Sequence, residues 1–380
     1  MATTLRRTPT TTLSRNPAAP WRHLDVVLLG AVLAVAGLGA LMVYSATRGP
    51  IAPYQLTYLE KQATYVGIGL LILAIVTLVD YRTFRDWAYV IYGLSCLMLL
   101  AVVSPFGSTS KGAQSWFQIG SFQLQPSEFV KIALIIALAA LASQFHAEID
   151  LRRLIALLAL AGLPIALIML QPDLGTAMVL VVISAGMMLL AGAQPKHLLV
   201  LFVLAIVCVT FLLRSDVLAQ YQKDRLLSFT QQEEGLSKEA YNTNQSKIAI
   251  GQGGPFGVGL CEGSQTRLGN VPEQHTDFIF TAVGEQLGFV GGGTLLALFC
   301  IIAWRIWRSA QLARDEFGML VCVGVLCLFM FQIFENVGMT MGIMPVTGIP
   351  LPLVSYGGSS TIAEFAAIGL VLNIHMRRFS

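Results

Sequence analysis

Residues 251–288 read GQGGPFGVGLCEGSQTRLGNVPEQHTDFIFTAVGEQLG. The first half is too rich in glycine for a helix: Gly251, Gly253, Gly254, Gly257, Gly259 and Gly263 predict a loop whose backbone turns tightly and approaches a ligand closely. His275-Thr276-Asp277-Phe278-Ile279-Phe280 follows, and a strongly apolar run opens near Thr281. A carboxylate at the mouth of such a run is costly to keep beside hydrocarbon without a partner or a task. The rest of the chain reads as the setting for Asp277.

That setting is a membrane. Of 380 residues, 55% are hydrophobic and 12% charged, against roughly 25% charged in a soluble domain, and mean hydropathy is +0.70. Ten apolar stretches, near 26–46, 62–79, 88–104, 127–144, 154–170, 175–192, 197–213, 281–304, 318–341 and 359–376, have the length of about 17–25 residues that crosses a bilayer. The expected fold is all-α: a polytopic integral membrane protein of about ten transmembrane helices with one large extracytoplasmic loop, 215–276. Residues 1–23, rich in Thr and Arg, read as a disordered cytoplasmic tail, and 24–380 as one ten-helix domain. The six cysteines lie mostly inside apolar runs and read as small buried hydrophobes.

Lys and Arg fix the orientation. With the N-terminus inside, the inner segments carry Arg6, Arg7, Arg15, Arg22, Arg82, Arg85, Arg152, Arg153, Lys196, Arg305, Arg308, Arg314, Arg377 and Arg378, while the short outer loops carry Arg48, Lys61 and Lys111. Both termini are therefore expected in the cytoplasm. The long loop also holds an amphipathic piece, 217–229, suited either to the membrane surface or to an extension of span seven. It contains neither G-x-x-x-x-G-K-[ST] nor a strand-bound G-x-G-x-x-G, so no nucleotide is expected. No nucleic-acid partner is expected either.

Spans four, six, eight and ten run inward from the outer face, and each opens on a polar motif. These are Gln125-Pro126-Ser127-Glu128 with Lys131, Gln171-Pro172-Asp173-Leu174-Gly175-Thr176, Thr276-Asp277 with Gly284-Glu285, and the run from Pro350 to Ser360. Pro in a first turn and acids beside a helix dipole are ordinary start signals, which could explain any one of them. Four on one face point to an anion site built from helix N-termini. Glu128 and Lys131, three apart, share a face and can pair, either structurally or with Lys131 also meeting a phosphate. Glu335, Asn336 and Glu364 add polar groups to the same half of the spans. An outward cavity with carboxylates and one buried lysine suits a lipid pyrophosphate, which is its own leaving group. Asp277 is the candidate base, with helix capping as the bland alternative. Asp173 and Glu285 can orient helix ends.

The chain resembles the SEDS family (shape, elongation, division and sporulation) of polytopic glycosyltransferases. The resemblance spans all ten helices and rests on Gly112-Ala113-Gln114-Ser115-Trp116-Phe117, Gln125-Pro126-Ser127-Glu128-x-x-Lys131, Gln171-Pro172-Asp173-x-Gly175-Thr176 and the 272–280 segment Pro-Glu-x-His-Thr-Asp-Phe-Ile-Phe. It continues through the 345–352 segment Pro-Val-Thr-Gly-Ile-Pro-Leu-Pro and ends in Ser355-Tyr356-Gly357-Gly358-Ser359-Ser360. It implies polymerisation of lipid II (an undecaprenyl-pyrophosphate-linked disaccharide peptide) into β-1,4 peptidoglycan strands at the outer face of the cytoplasmic membrane, releasing undecaprenyl diphosphate. Gly263-Ser264-Gln265 and Gly338-Met339-x-x-Gly342-Ile343-Met344-Pro345 favour the elongation branch over the division branch. A lipid II flippase is the alternative activity; it predicts ionisable groups reaching toward the cytoplasmic half. The resemblance makes Asp277 the essential acid and implies a divalent cation (Mg or Mn), for which Asp277, Asp173 and Glu285 are the candidate ligands. It also implies a class B penicillin-binding protein transpeptidase as partner, among other cell-elongation proteins. Further substrate-contact candidates are Gln245 and Arg225 in the loop and Ser355 and Ser359 in the closing motif. Ser115 departs from the family, which carries Arg before that Trp; Lys111 or Arg225 is the expected substitute cation.

Overall fold

The computed structural model describes residues 23–49, 54–105, 107–110, 113–120, 122–145, 149–197, 199–200, 203 and 238–379. The helices are α1 Val26–Thr47, α2 Thr57–Leu78, α3 Tyr81–Asp86, α4 Ala88–Val103, α5 Pro126–Ala142, α6 Leu151–Met169, α7 Leu174–Leu190, α8 Lys238–Gly253, α9 Ser264–Leu268, α10 Ile279–Gln311, α11 Glu316–Thr340 and α12 Gly358–Met376. Among the described residues, seven helices (α1, α2, α5 with its following turn, α6, α10, α11 and α12) are long and apolar enough to cross a membrane, and α4 and α7 are shorter apolar helices. Each expected span has its helix except the seventh, 197–213, which lies largely outside the described residues. The 1–23 tail, but for His23, and the 217–229 piece lie outside them as well.

The bundle is organised around α12, 94% of whose most apolar window is buried. It packs along α2 and touches α5, α10 and α11. Small residues permit the closest approaches. A Cβ on Gly69 of α2 would fall 2.3 Å from the Phe365 ring of α12, and one on Gly39 of α1 would fall 2.6 Å from the Val354 backbone. At the end where α1 and α11 begin, ionisable side chains tie helix ends together. Arg305 reaches Asp25 at 2.8 Å, Tyr81 donates to Asp315 at 2.9 Å, and Arg377 donates to the carbonyls of Thr77 and Leu78.

Two features depart from the expected architecture. Residues 108–124 hold an antiparallel sheet ordered β1 (Ser108–Ser110), β2 (Ala113–Ile119), β3 (Phe122–Leu124). Its signal is in the sequence: Phe117 and Ile119 pair with Leu124 and Phe122, Gln118 pairs with Gln123 on the other face, and Gly120 at φ 61° turns the hairpin. The second feature is the glycine run. Gly251 and Gly253 close α8 rather than lying in a loop, so dense glycine here does not exclude a helical end.

The glycines that follow serve a broken helix. α10 is interrupted at Gly288 (φ 65°, ψ −163°), which frees backbone groups that a membrane environment cannot leave unpaired. The run fills them. Val258 N–H donates to Glu285 O and Gly259 N–H to Gln286 O, while Phe289 and Val290 donate to the carbonyls of Gly254 and Pro255. A Cβ on Gly257 would sit 2.1 Å from Gln286 O and one on Gly288 2.2 Å from Gly257 N, so glycine is required at both crossings. The loop's close approach is to the protein's own backbone. Its result is a half-helix, 279–287, that carries Asp277 at its mouth.

Candidate functional site

The polar helix starts of α5, α7, α10 and α12 converge on one chamber of about 250 Å³. Gln125, Glu128 and Lys131 come from α5, Asp173 and Thr176 from α7, Thr276 and Asp277 from the entry to α10, and Gly357 and Ser360 from the entry to α12. Gln332 of α11 and residues 347–350 complete the wall. Free N–H groups at convergent N-termini give such a chamber a positive field suited to phosphate. A wider vestibule of about 770 Å³ adjoins it, sharing Trp116, Gln125, Asp173, Thr276, Tyr356 and Gly357.

Asp277 is half-buried and anchored through its main chain. Glu273, in the left-handed region at φ 55°, offers one carbonyl to the N–H groups of Thr276, Asp277 and Phe278. Asn336 donates its amide to the carbonyls of Asp277 and Ile349, both at 2.8 Å. The N-cap of α10 is Phe278, with no side-chain capping bond, so Asp277 does not sit at the cap. Opposite it, Gly348 has φ +76° and would place a Cβ 3.3 Å from Asp277 Oδ2. Thr347 beside it donates to the buried Glu335 at 2.9 Å.

The expected pair is present. Lys131 Nζ lies 2.7 Å from Glu128 Oε2, with both side chains at most 5% exposed. Asp173 caps α7 with both carboxylate oxygens, one accepting from Thr176 N–H at 3.0 Å and the other from its hydroxyl at 2.8 Å. Of the carboxylates lining the chamber, Glu128 thus holds the Lys131 ammonium through one oxygen, and Asp173 accepts from the backbone and the hydroxyl of Thr176.

Other sequence candidates lie behind the walls. Glu285 is fully buried and accepts from Gln265 N–H at 2.7 Å and from both donors of Thr266, holding the start of α9. Ser355 donates to Thr276 O and accepts from Leu351 N–H; Ser359 accepts from Gln125 N–H and donates to Gln123 O. These two hydroxyls position the chamber's edges and do not line it. Gln245 sits on α8, half-buried and away from the residues lining either cavity. Its neighbour Ser246 pins that helix to Thr281 and to Thr340 O. Arg225 and Lys111 lie outside the described residues.

Some residues lining the two cavities escaped the sequence reading. Lys61 of α2 lines the vestibule although it reads in sequence as one more loop cation. Tyr58, Tyr65 and Gln332 likewise carry no motif of their own in that reading, and Gly348 enters it only as one member of the 345–352 segment. Burial, and then the neighbouring Tyr65 and Tyr58, push the Tyr356 phenol above the ordinary tyrosine range, so it remains a hydrogen-bond donor. Ser115 is buried with its hydroxyl unpartnered and lines the vestibule. A lone serine there does not replace a guanidinium, but Lys61 brings a cation to the same cavity.

Asp277 and Asp173 share the chamber and Glu285 does not. Among the described residues no cluster of three His, Cys, Asp or Glu could hold a metal by itself. That donor set suits a hard cation which takes one or two carboxylates and completes its shell with substrate phosphates.

Fold and site together define a multi-pass membrane protein with a phosphate-suited polar chamber at one end of its bundle. The model of the cell cycle protein family that groups FtsW, RodA and SpoVE matches residues 26–379, and the chain belongs to this family, the SEDS family. It is similar to the peptidoglycan glycosyltransferase MrdB of Escherichia coli K12, with 36% identity covering 94% of each chain. It is also similar to the stage V sporulation protein E of Bacillus subtilis, with 35% identity covering 92% of this chain and 96% of that one. Among solved structures, Thermus thermophilus RodA aligns with TM-score 0.71 and 30% identity over 95% of this chain and 99% of that one. A peptidoglycan synthase complex, described as coordinating polymerization and crosslinking, contains a chain that aligns at TM-score 0.80 and 31% identity over 94% and 99%. The expectation of a peptidoglycan glycosyltransferase of the elongation type stands.

Proposed function

We propose that this chain polymerises lipid II into β-1,4 glycan strands at the outer face of the cytoplasmic membrane, with both termini in the cytoplasm, and that Asp277 is its general base. The observation that carries the reading is the meeting of four helix starts, the Lys131–Glu128 pair and Asp277 in one chamber. The donor's pyrophosphate lies among the N-termini of α5, α7 and α12, beside Lys131. Asp277 takes the proton from the acceptor sugar's C4 hydroxyl as that oxygen bonds to the donor's anomeric carbon. The bond from that carbon to the phosphate oxygen breaks, and undecaprenyl diphosphate leaves with its electron pair. Lys131 neutralises part of the charge that appears on it. A divalent cation (Mg or Mn), held by Asp277 and Asp173 together with the phosphates, would add electrostatic stabilisation to the leaving group. A class B penicillin-binding protein transpeptidase is the expected partner, supported by the peptidoglycan synthase complex whose chain this one resembles.

The test is Asp277→Asn. The amide keeps the shape of the side chain but cannot take the proton, so glycan synthesis from lipid II by the purified chain is expected to fall by about 10²–10⁴. Binding of lipid II should persist. Polymerisation at a tenth of the normal rate or faster would remove Asp277 as the base.

A further inference from the structure

The vestibule differs in chemistry from the chamber it adjoins. Tyr58, Tyr65, Trp116, His275 and Tyr356 bring aromatic rings to its wall, interleaved with the amides of Gln118, Gln123 and Gln125. All five rings are half-buried. Four of them brace one another on edge or tilted. Tyr58 meets His275 at 5.0 Å between centroids and Tyr356 at 5.2 Å; Tyr356 meets His275 at 5.7 Å and Tyr65 at 6.0 Å. The Tyr356 N–H donates to His275 O at 2.9 Å, fixing two ring-bearing segments together. Edge-on packing holds ring planes in place, and neutral amides with the unpartnered Ser115 hydroxyl supply fixed polar atoms between them. This combination matches a sugar chain, whose pyranose faces present C–H bonds to aromatic planes and whose rims present hydroxyl and acetamido groups. Lys61, Asp173 and Glu273 also line this wall, so the match to a sugar chain rests on the braced rings and the amides between them.

Resting on the function proposed above, we infer that the vestibule holds the sugar backbone of the growing glycan, while the inner chamber holds the pyrophosphate. The volume of about 770 Å³ lies within the roughly 300–1,000 Å³ of sites that enclose a small ligand, room for a few sugar units. The shared wall at Trp116, Gln125 and Tyr356 puts the glycan's terminal sugar next to Asp277. Holding the product there between additions makes synthesis processive, and the rings set the length of the strand.

The probe is tetra-N-acetylchitotetraose, a soluble β-1,4 sugar without pyrophosphate, observed by saturation-transfer NMR with the full-length Asp277→Asn chain, which makes too little glycan to occupy the groove. Transfer to the sugar-ring protons is expected, unchanged when Tyr65→Phe is added and about fivefold weaker with Tyr65→Leu, the worth of one ring contact. In the catalytic background, Tyr65→Leu should shorten glycans by a similar factor while Tyr65→Phe keeps their length. Absent transfer to the Asp277→Asn chain, equal transfer with Tyr65→Leu, or glycans of normal length from Tyr65→Leu would each overturn the assignment. Should Tyr65→Leu fail to fold, Trp116→Leu replaces it, and the binding measurement without ring variants stands by itself. Glycan synthesis by the wild-type chain is measured alongside. If it is normal while the tetrasaccharide does not bind, the vestibule assignment alone falls; if no glycan forms, the proposed function falls.

Discussion

Replacing Gly348 by alanine tests how tightly the fold sets Asp277. Two costs arise at one atom. The backbone sits at φ +76°, where an L-residue with a Cβ loses about 1–2 kcal/mol. The new methyl would also lie 3.3 Å from Asp277 Oδ2, inside ordinary contact distance, so the carboxylate or the 347–349 loop must give by a few tenths of an ångström. A misplacement of about 1 Å can cost roughly 10² in rate, so a few tenths should cost about fourfold to tenfold in kcat. Gly269 supplies the control. It has φ +66° and open space where its Cβ would be, at the end of α9 and away from both cavities. Gly269→Ala should therefore lose similar stability with kcat unchanged. The assay is lipid II turnover by each purified chain with thermal unfolding measured in the same detergent. Normal kcat in Gly348→Ala, or an equal loss in Gly269→Ala, would refute the claim that Gly348 gives Asp277 its space.

Three further outcomes follow from the buried charges. Glu128→Ala strands the Lys131 ammonium in a site at most 5% exposed and should cost about 3–5 kcal/mol of stability. Replacing both partners by apolar residues should recover most of that loss and leave polymerisation abolished; unfolding measurements and turnover on the single and double variants decide it. Glu285→Gln removes one of two oxygens accepting from Gln265 and Thr266, so it should cost about 2 kcal/mol or more while the cation dependence of turnover stays as in the wild type. A shifted cation requirement would return Glu285 to the metal site. Removing divalent cations with a chelator should stop glycan synthesis and re-adding Mg or Mn should restore it, whereas undiminished synthesis in excess chelator would exclude the cation.

How legible was this in the sequence? Whatever depends on local pattern was open to reading. The apolar lengths gave the helices, and the three-residue spacing gave the Lys131–Glu128 pair. The polar helix starts at Gln125, Asp173, Thr276 and Ser360, far apart in the chain, all reach the chamber as their common orientation implied. What stayed hidden depends on long-range partners. Ser355, Ser359 and Glu285 have the polarity of substrate ligands, but their hydrogen bonds go to Thr276, Gln125 and Thr266. Composition cannot tell a side chain that meets a ligand from one that completes the wall behind it. Lys61 and the vestibule tyrosines show the converse, ordinary on α2 until the 113–124 hairpin and Tyr356 pack around the same space.

The glycine run shows why the two readings diverge. Its density announces close backbone approach, and that inference holds at Gly257 and Gly288. The sequence leaves open what is approached. Here it is the break in α10, whose freed carbonyls at Glu285 and Gln286 are met by the N–H groups of Val258 and Gly259. A helix broken inside a membrane bundle is tolerated when protein satisfies the gap. The gain is geometric: the break separates residues 279–287 from the rest of α10, so Asp277 can be aimed by Glu273, Asn336 and the Gly348 loop rather than by a straight 33-residue helix. The glycines therefore act on the site at one remove, by allowing the half-helix that positions Asp277.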